Sequence, residues 1–235
     1  MRSFVCGQCH VEYYFKGSGK YLTFPWAFGT KAEDFDKYYE TTGFSDWTNA
    51  ISGAKMIKMQ HPDYEVFQEG LHGKHGVSCA DCHMPTETSK GKEYTSHQVQ
   101  SPLYTIEKTC ANCHSWTPDE AKARVYEIQN RNREMLSRVE LALAQSHLEI
   151  RDAMTRGASD EELAGVRKLV SKAQMYWDYV AASNGMGIHA PQECARVLGK
   201  ALDIAHDCRL KTQEIRMRHG ATGALELPDL STKDK

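Results

Sequence analysis

No stretch of this chain approaches the roughly twenty consecutive apolar residues that a membrane-crossing helix requires, so these residues supply no membrane span. There is no excess of charge of either sign. Against 31 Asp and Glu stand 29 Lys and Arg, a formal net charge of −2, and no basic run or aromatic stacking platform of the kind that holds nucleic acid is present. The opening Met1-Arg2-Ser3-Phe4-Val5-Cys6 lacks the apolar core of a secretory signal. Apolar residues make up only 40% of the 235, a little low for a chain that must bury a core of its own, and the length allows one large domain or two small ones.

Cysteine and histidine, by contrast, are placed with a rule. Cys6-Gly7-Gln8-Cys9-His10, Cys79-Ala80-Asp81-Cys82-His83 and Cys110-Ala111-Asn112-Cys113-His114 repeat one signature and use six of the eight cysteines. Two thiols three positions apart add to the two vinyl groups of a haem, and the histidine after the second becomes an axial iron ligand. Paired cysteines with a nearby histidine also bind structural zinc, but zinc does not require the histidine to follow the second cysteine each time. Three pairs also do not group into closed four-ligand sites. Covalent haem is therefore the expected cofactor, and each macrocycle adds the apolar surface that the composition lacks.

Past the first motif, Cys6 to Phe15, Phe44-Ser45-Asp46-Trp47-Thr48-Asn49, Gln60-His61-Pro62-Asp63-Tyr64-Glu65 and His189-Ala190-Pro191 follow one another in an order that resembles the pentahaem, ammonia-forming cytochrome c nitrite reductases over essentially the whole chain. The resemblance implies a mainly α multihaem cytochrome c with long C-terminal helices and little regular β structure. It implies six-electron reduction of nitrite to ammonium, nitrite as substrate, and an electron donor that is a quinol-oxidising or small multihaem cytochrome. A homodimer held by the long helices and a periplasmic location are implied as well. The family carries five haems, two of them on motifs upstream of the three here, one with lysine in place of histidine at the catalytic haem. The expectation is accordingly a C-terminal portion whose Met1 is internal, which ends short of the family at Ser231–Lys235 and is inactive by itself. Residues 1–116 are expected to bear the haems and active-site residues, and 117–235 the long helices, as parts of one truncated domain.

The same resemblance assigns individual residues. His72 is the distal ligand of the haem at Cys110/Cys113, His189 that of the haem at Cys79/Cys82, and His97 serves a haem of the upstream part; the Cys6/Cys9 haem takes its distal histidine from there too. Tyr13 and His61 line the substrate pocket, and such a pocket needs groups that orient an anion and deliver protons near neutral pH. Glu12 and Gln60 by side chain, with the carbonyls of Tyr13 and Lys58, match a calcium site, an oxygen-only donor set of the kind that cation prefers. The competing reading is an electron-transfer cytochrome in which every iron is doubly ligated and no substrate binds.

Local signals place these residues on elements. Glu12–Phe15 and Tyr21–Phe24 flank a turn at Lys16–Lys20. Thr30 and Glu33 read as a capping box opening a helix that Gly43 ends, and Pro62 as the first residue of a helix running to Leu71 and His72. Polar Glu87–Ser96 around Gly91 reads as a solvent loop. Capping boxes at Thr117/Glu120 and Ser159/Glu162 open long helices ending at Gly157 and near Asn184-Gly185, and a third runs from Pro191 to Gly220. Cys194 and Cys208 on that third helix lie about 21 Å apart along its axis, too far for a disulfide, and are expected to pack as small apolar residues. His75, His147, His206 and His219 carry no assigned role, His147 alone falling in an apolar stripe.

Overall fold

The computed structural model describes residues 2–229; the expectation for the chain end at Ser231–Lys235 lies outside the described residues, as does Met1. The fold is mainly α with three small hairpins. In chain order it runs β1 (Tyr14–Lys16), β2 (Tyr21–Thr23), α1 (Ala32–Thr42), β3 (Trp47–Thr48), β4 (Lys55–Met56), α2 (Asp63–Glu69), α3 (Leu71–Lys74), α4 (Cys79–His83), β5 (Thr86–Ser89), β6 (Lys92–Thr95), α5 (Pro118–Thr155), α6 (Asp160–Ala181) and α7 (Pro191–Arg218). The three strand pairs are all antiparallel and two-stranded. No described helix is long and apolar enough to cross a membrane.

The long helices follow their local chemistry. Thr117 N–H donates to Glu120 Oε2 at 2.8 Å while Glu120 N–H donates back to Thr117 Oγ1 at 3.3 Å, so two helix-start donors are satisfied before α5 sets off for 38 residues, about 57 Å. Ser159 and Glu162 repeat the device at the head of α6, with bonds of 2.9 and 3.3 Å. Gly157 and Gly220, at φ +96° and +81°, end α5 and α7 in a conformation that only glycine adopts freely.

Three expectations shift. The first helix begins at Ala32, so its third residue is Asp34, and Asp34 Oδ2 accepts the Lys31 N–H at 3.1 Å in place of the Thr30/Glu33 box. Glu33 is freed for Arg196, which grips it at 2.7 and 3.0 Å, and for Lys200 at 3.1 Å. Pro62 caps α2 from outside, and Gly70, at φ −80° and ψ 160°, breaks the helix before α3 carries His72. The segment read as a loop after the second motif is the β5–β6 hairpin, turned by Lys90 and Gly91 at φ +50° and +72°, the signature of a type I′ turn.

Two compact units divide the chain. One comprises Pro25–Met59, Met135–Ala181 and Arg196–Lys235. Its core is conventional: Phe35, Met56, Met59, Val139, Ile150, Leu163, Val170, Tyr176, Tyr179, Val197 and Leu198 are buried, each worth about 1.5–3 kcal/mol on leaving water. Trp177 at the edge donates its indole N–H to the Leu136 carbonyl at 3.1 Å. His147 is explained here as a packed residue, its Nδ1 2.8 Å from Ser52 Oγ, with burial keeping its imidazole below the usual range. Cys208 is buried and donates its thiol to the Val166 carbonyl at 3.3 Å; burial pushes it up to about 11.

The other unit comprises Met1–Phe24, Gln60–Glu134 and Ala182–Ala195, and it holds all three CxxCH motifs together with His72 and His189. Cys194 is buried here, its thiol pushed up to about 12 by burial. Few large side chains are covered, among them Val11, Tyr14, Val66, Phe67 and Ile106. Phe4, Val5, Leu71, Val99 and Tyr104 are more than half exposed, an apolar surface of the kind that a bound macrocycle covers.

Candidate haem and catalytic site

Each CxxCH motif winds as one tight turn: Cys6–Gln8 and Cys110–Asn112 are 3₁₀ turns, and Cys79–His83 is α4. In the first and third motifs the histidine N–H bonds the first cysteine's carbonyl at 2.9 Å, which closes one turn over the motif. Ser78 and Asp81 cap the middle motif, Asp81 Oδ2 accepting from both Ser78 N–H and Ser78 Oγ at 2.7 Å. Asp81 also pairs with Arg2, and Ser3 Oγ accepts the Cys79 N–H at 3.2 Å, so the first and second motifs are stitched together.

The histidines come in facing pairs. The rings of His83 and His189 have centres 6.4 Å apart at 68°, and those of His72 and His114 are 6.1 Å apart at 84°. Two imidazoles bound to opposite sides of one metal at about 2 Å each have ring centres about 6 Å apart. His83 Nδ1 lies 2.9 Å from the Gln100 carbonyl and donates to it, which fixes the tautomer and leaves Nε2 for a metal. Burial also keeps His72 and His83 from protonating readily, favouring the neutral, metal-binding form. His114 stacks flat on Trp116 at 4.2 Å.

Glycine makes room for His189. A Cβ on Gly185 would stand 2.7 Å from His189 Nδ1, and one on Gly70 would stand 1.9 Å from its carbonyl oxygen. These observations together fit haem: paired imidazoles at iron-spanning separation, a fixed tautomer and a backbone cradle that a methyl group would fill.

His10 and His61 are nearer to each other, with ring centres at 4.5 Å, which is too close for both to bind one iron from opposite sides. Asp63 joins them in a cluster whose ligand atoms lie within 4.8 Å of one another. His61 Nδ1 is 3.0 Å from Asp63 Oδ2 and 3.1 Å from Asn184 Nδ2. The carboxylate, being charged, accepts a hydrogen bond from Nδ1–H, and Nε2 is the ring nitrogen that this bond leaves over. Asp63 is buried and also accepts from Ser183 Oγ at 2.9 Å, with His189 Nδ1 3.6 Å away. Burial works to raise the Asp63 carboxyl, yet the two histidines and Ser183 outweigh it and hold it below the usual carboxylate range.

Tyr13 is half-buried, edge-on to Phe15 at 5.7 Å. Beside it Glu12 is fully buried; its Oε2 accepts the Gln60 N–H at 2.7 Å and its own N–H donates to Glu65 Oε1 at 2.9 Å. The side chain of Glu12 thus ties the segment after the first motif to the segment that carries His61. Lys58 belongs to the other unit, where Asp46 Oδ2 accepts its N–H at 2.8 Å and Asp178 Oδ2 accepts the next, from Met59, also at 2.8 Å. His97 lies exposed after β6.

A family model for cytochrome c552 matches residues 1–235, the whole chain. The chain belongs to the cytochrome c552 family. Cytochromes of the c type hold haem covalently, which decides between haem and zinc at the cysteine pairs. Cytochrome c-552 of Parabacteroides distasonis is 48% identical over all 235 residues, that of Bacteroides fragilis 47%, and that of Haemophilus influenzae 43%. This cytochrome c552 chain spans about half the length of those relatives, 48%, 48% and 44% respectively. Among solved structures, the catalytic subunit of cytochrome c nitrite reductase from Desulfovibrio desulfuricans, described for its two calcium sites, superposes with a TM-score of 0.85 at 34% identity. It covers 94% of this chain and 51% of its own.

Sequence reasoning did not find Asp63, Ser183, Gln100, Gly70 or Gly185 as parts of the site. Asp63 lies within the Gln60–Glu65 motif, two residues after His61, and Gly185 reads from sequence only as a helix stop.

Proposed function

We propose that the protein is an ammonia-forming nitrite reductase of the multihaem type. The reading concerns a protein of the relatives' length, to which residues 1–235 contribute three haem attachments, Tyr13 and His61. The observation that carries it is the anchoring of His61: a buried carboxylate holds its Nδ1, which reserves Nε2 for a substrate. An electron shuttle has no use for such a group beside a haem motif.

Bound haem supplies electrons and, where a face is open, a coordination position for the substrate nitrogen. His10, His83 and His114 would hold haem from within their own motifs, with His189 as the second ligand for the Cys79/Cys82 haem and His72 for the Cys110/Cys113 haem; His97 would serve a haem outside this chain. Two doubly ligated sites suit electron delivery, since strong ligands on both faces leave no place for a substrate. His61 protonates the reduced substrate, Tyr13 donates a hydrogen bond to its oxygens, and the two share the orienting of the anion. Calcium, held by Glu12 and Gln60 side chains with the Tyr13 and Lys58 carbonyls, neutralises the buried carboxylate and fixes the catalytic segments. The long helices form the homodimer contact, the location is periplasmic, and the donor is a quinol-oxidising or small multihaem cytochrome; these rest on the resemblance and the family.

The test is nitrite-dependent oxidation of a reduced viologen by the haem-loaded, full-length protein and its His61→Asn variant. The variant is expected to lose about 10²–10⁴-fold in kcat, the contribution of a positioned acid–base group. Equal turnover in both, with equal haem content, would remove His61 from the chemistry.

A further inference from the structure

We propose that Asp63 is a positioning residue shared by two parts of the site, holding His61 for proton delivery with one carboxylate oxygen and orienting the haem-facing His189 with the other. The inference rests on the roles given above to His61 and His189. Its basis is the division of one buried carboxylate between two imidazoles. Oδ2 meets His61 Nδ1 at 3.0 Å; Oδ1 faces His189 Nδ1 at 3.6 Å, a charge-to-dipole distance slightly beyond a hydrogen bond. His189 Nδ1 is itself buried, and among the described residues no hydrogen-bond partner reaches it, so Asp63 is the acceptor toward which its N–H can close.

The carboxylate does not depend on the histidines for its own place. Ser183 Oγ donates to Oδ1 at 2.9 Å and Asn184 Nδ2 approaches Oδ2 at 3.5 Å, both from the segment between α6 and α7 that leads to His189. Asp63 also begins α2, with its own N–H bonded to the His61 carbonyl at 2.8 Å, so His61 and Asp63 move as one piece. Gly185 lies against the His189 ring, where a Cβ would stand 2.7 Å from Nδ1. A metal-bound imidazole whose second nitrogen donates to a carboxylate is a stronger donor to the metal, and it stabilises the oxidised ion. Asp63 therefore sets how readily the Cys79/Cys82 haem is reduced and, through the same group, how His61 is aimed.

The experiment compares full-length, haem-loaded wild type with Asp63→Asn, which keeps the shape and removes the charge, by potentiometric titration followed in the visible and by EPR, and by nitrite kinetics. The expected result is a shift of one haem potential upward by about tenfold in its reduction equilibrium, which is 59 mV for one electron. The low-spin EPR signal of that same haem changes, and kcat for nitrite falls about 10–100-fold. Ser183→Ala, which touches neither histidine but frees Oδ1, moves the same potential by less and serves if Asp63→Asn loses haem. Unchanged potentials in both variants overturn the proposal, and so does a fall in kcat with no haem potential moved. Wild-type ammonium production, measured in parallel, reports on the nitrite-reductase reading alone, because the potentials are read without nitrite.

Discussion

Gly70→Ala adds one methyl group where the backbone before α3 meets the backbone at His189. Gly70 has φ −80° and ψ 160°, a conformation alanine adopts without strain, so the cost is entirely steric. Its added Cβ would sit 1.9 Å from the His189 carbonyl oxygen, where even a tight contact stays above 3.0 Å. Backbone must therefore part from backbone by about 1 Å, since neither partner is the end of a flexible side chain. Overpacking of this kind costs about 1–3 kcal/mol. An imidazole displaced by 1 Å cannot keep a metal bond of about 2 Å, so the Cys79/Cys82 haem should pass from doubly ligated low-spin to high-spin. Visible and EPR spectra of the ferric full-length protein should show one low-spin signal lost and high-spin absorption gained. Gly165→Ala is the control: the site lies within α6, nothing stands within 4 Å of the added Cβ, and stability should rise by about 0.5–1 kcal/mol with spectra unchanged. A Gly70→Ala protein with wild-type spectra would refute the placement of His189 as an iron ligand.

Thiol counting tests the cofactor load. Of eight cysteines the motifs consume six, so the segment should release two titratable thiols in denaturant and almost none when native, because Cys194 and Cys208 are buried with thiols pushed up to about 12 and 11. More than two from this segment would mean an unloaded motif. The Arg196 hydrogen bonds hold Glu33 down at about 2, from an ordinary 4.5. A depressed carboxyl stabilises above its unfolded value, so the advantage of wild type over Glu33→Gln, under about 1 kcal/mol for a partly exposed pair, should be full above pH 5 and vanish as pH falls from 4.5 toward 2. An advantage that persists at pH 2 in denaturant melts would show that the ion pair is not its source. Glu12→Gln should lower calcium content and nitrite turnover together while leaving the haem count intact; metal analysis unchanged from wild type would dissociate Glu12 from calcium.

What the sequence made readable was chemistry that fixes its own spacing. The thioether and imidazole bonds of haem c impose the CxxCH pattern, and helix starts at Thr117 and Ser159 are closed by residues three positions away. The β5–β6 hairpin escaped because it is exposed on both faces and shows no apolar alternation; only Lys90-Gly91 marked the turn, and one glycine in a polar run does not separate a hairpin from a loop. The break at Gly70 and the cradle at Gly185 depend on His189, far along the chain, and a local reading of glycine cannot see what a missing side chain makes room for. Asp63 was hidden for the same reason: its partners Ser183, Asn184 and His189 arrive from a connection whose sequence reads only as the end of one helix and the start of the next. The one-residue slip at Thr30/Glu33 reflects two adjacent acids, Glu33 and Asp34, either of which could cap; the pull of Arg196 and Lys200 on Glu33 decided it.

A nitrite reductase of the proposed kind carries nitrite all the way to ammonium. The direct measurement is the ratio of electrons taken from a reduced viologen to ammonium formed, with the full-length, haem-loaded protein and limiting nitrite under argon. Six electrons per ammonium, with nitrite recovered as ammonium in full, is the predicted result. Viologen that stays reduced in the presence of nitrite, or that is oxidised without ammonium appearing, would contradict it and leave these haems as carriers of electrons only.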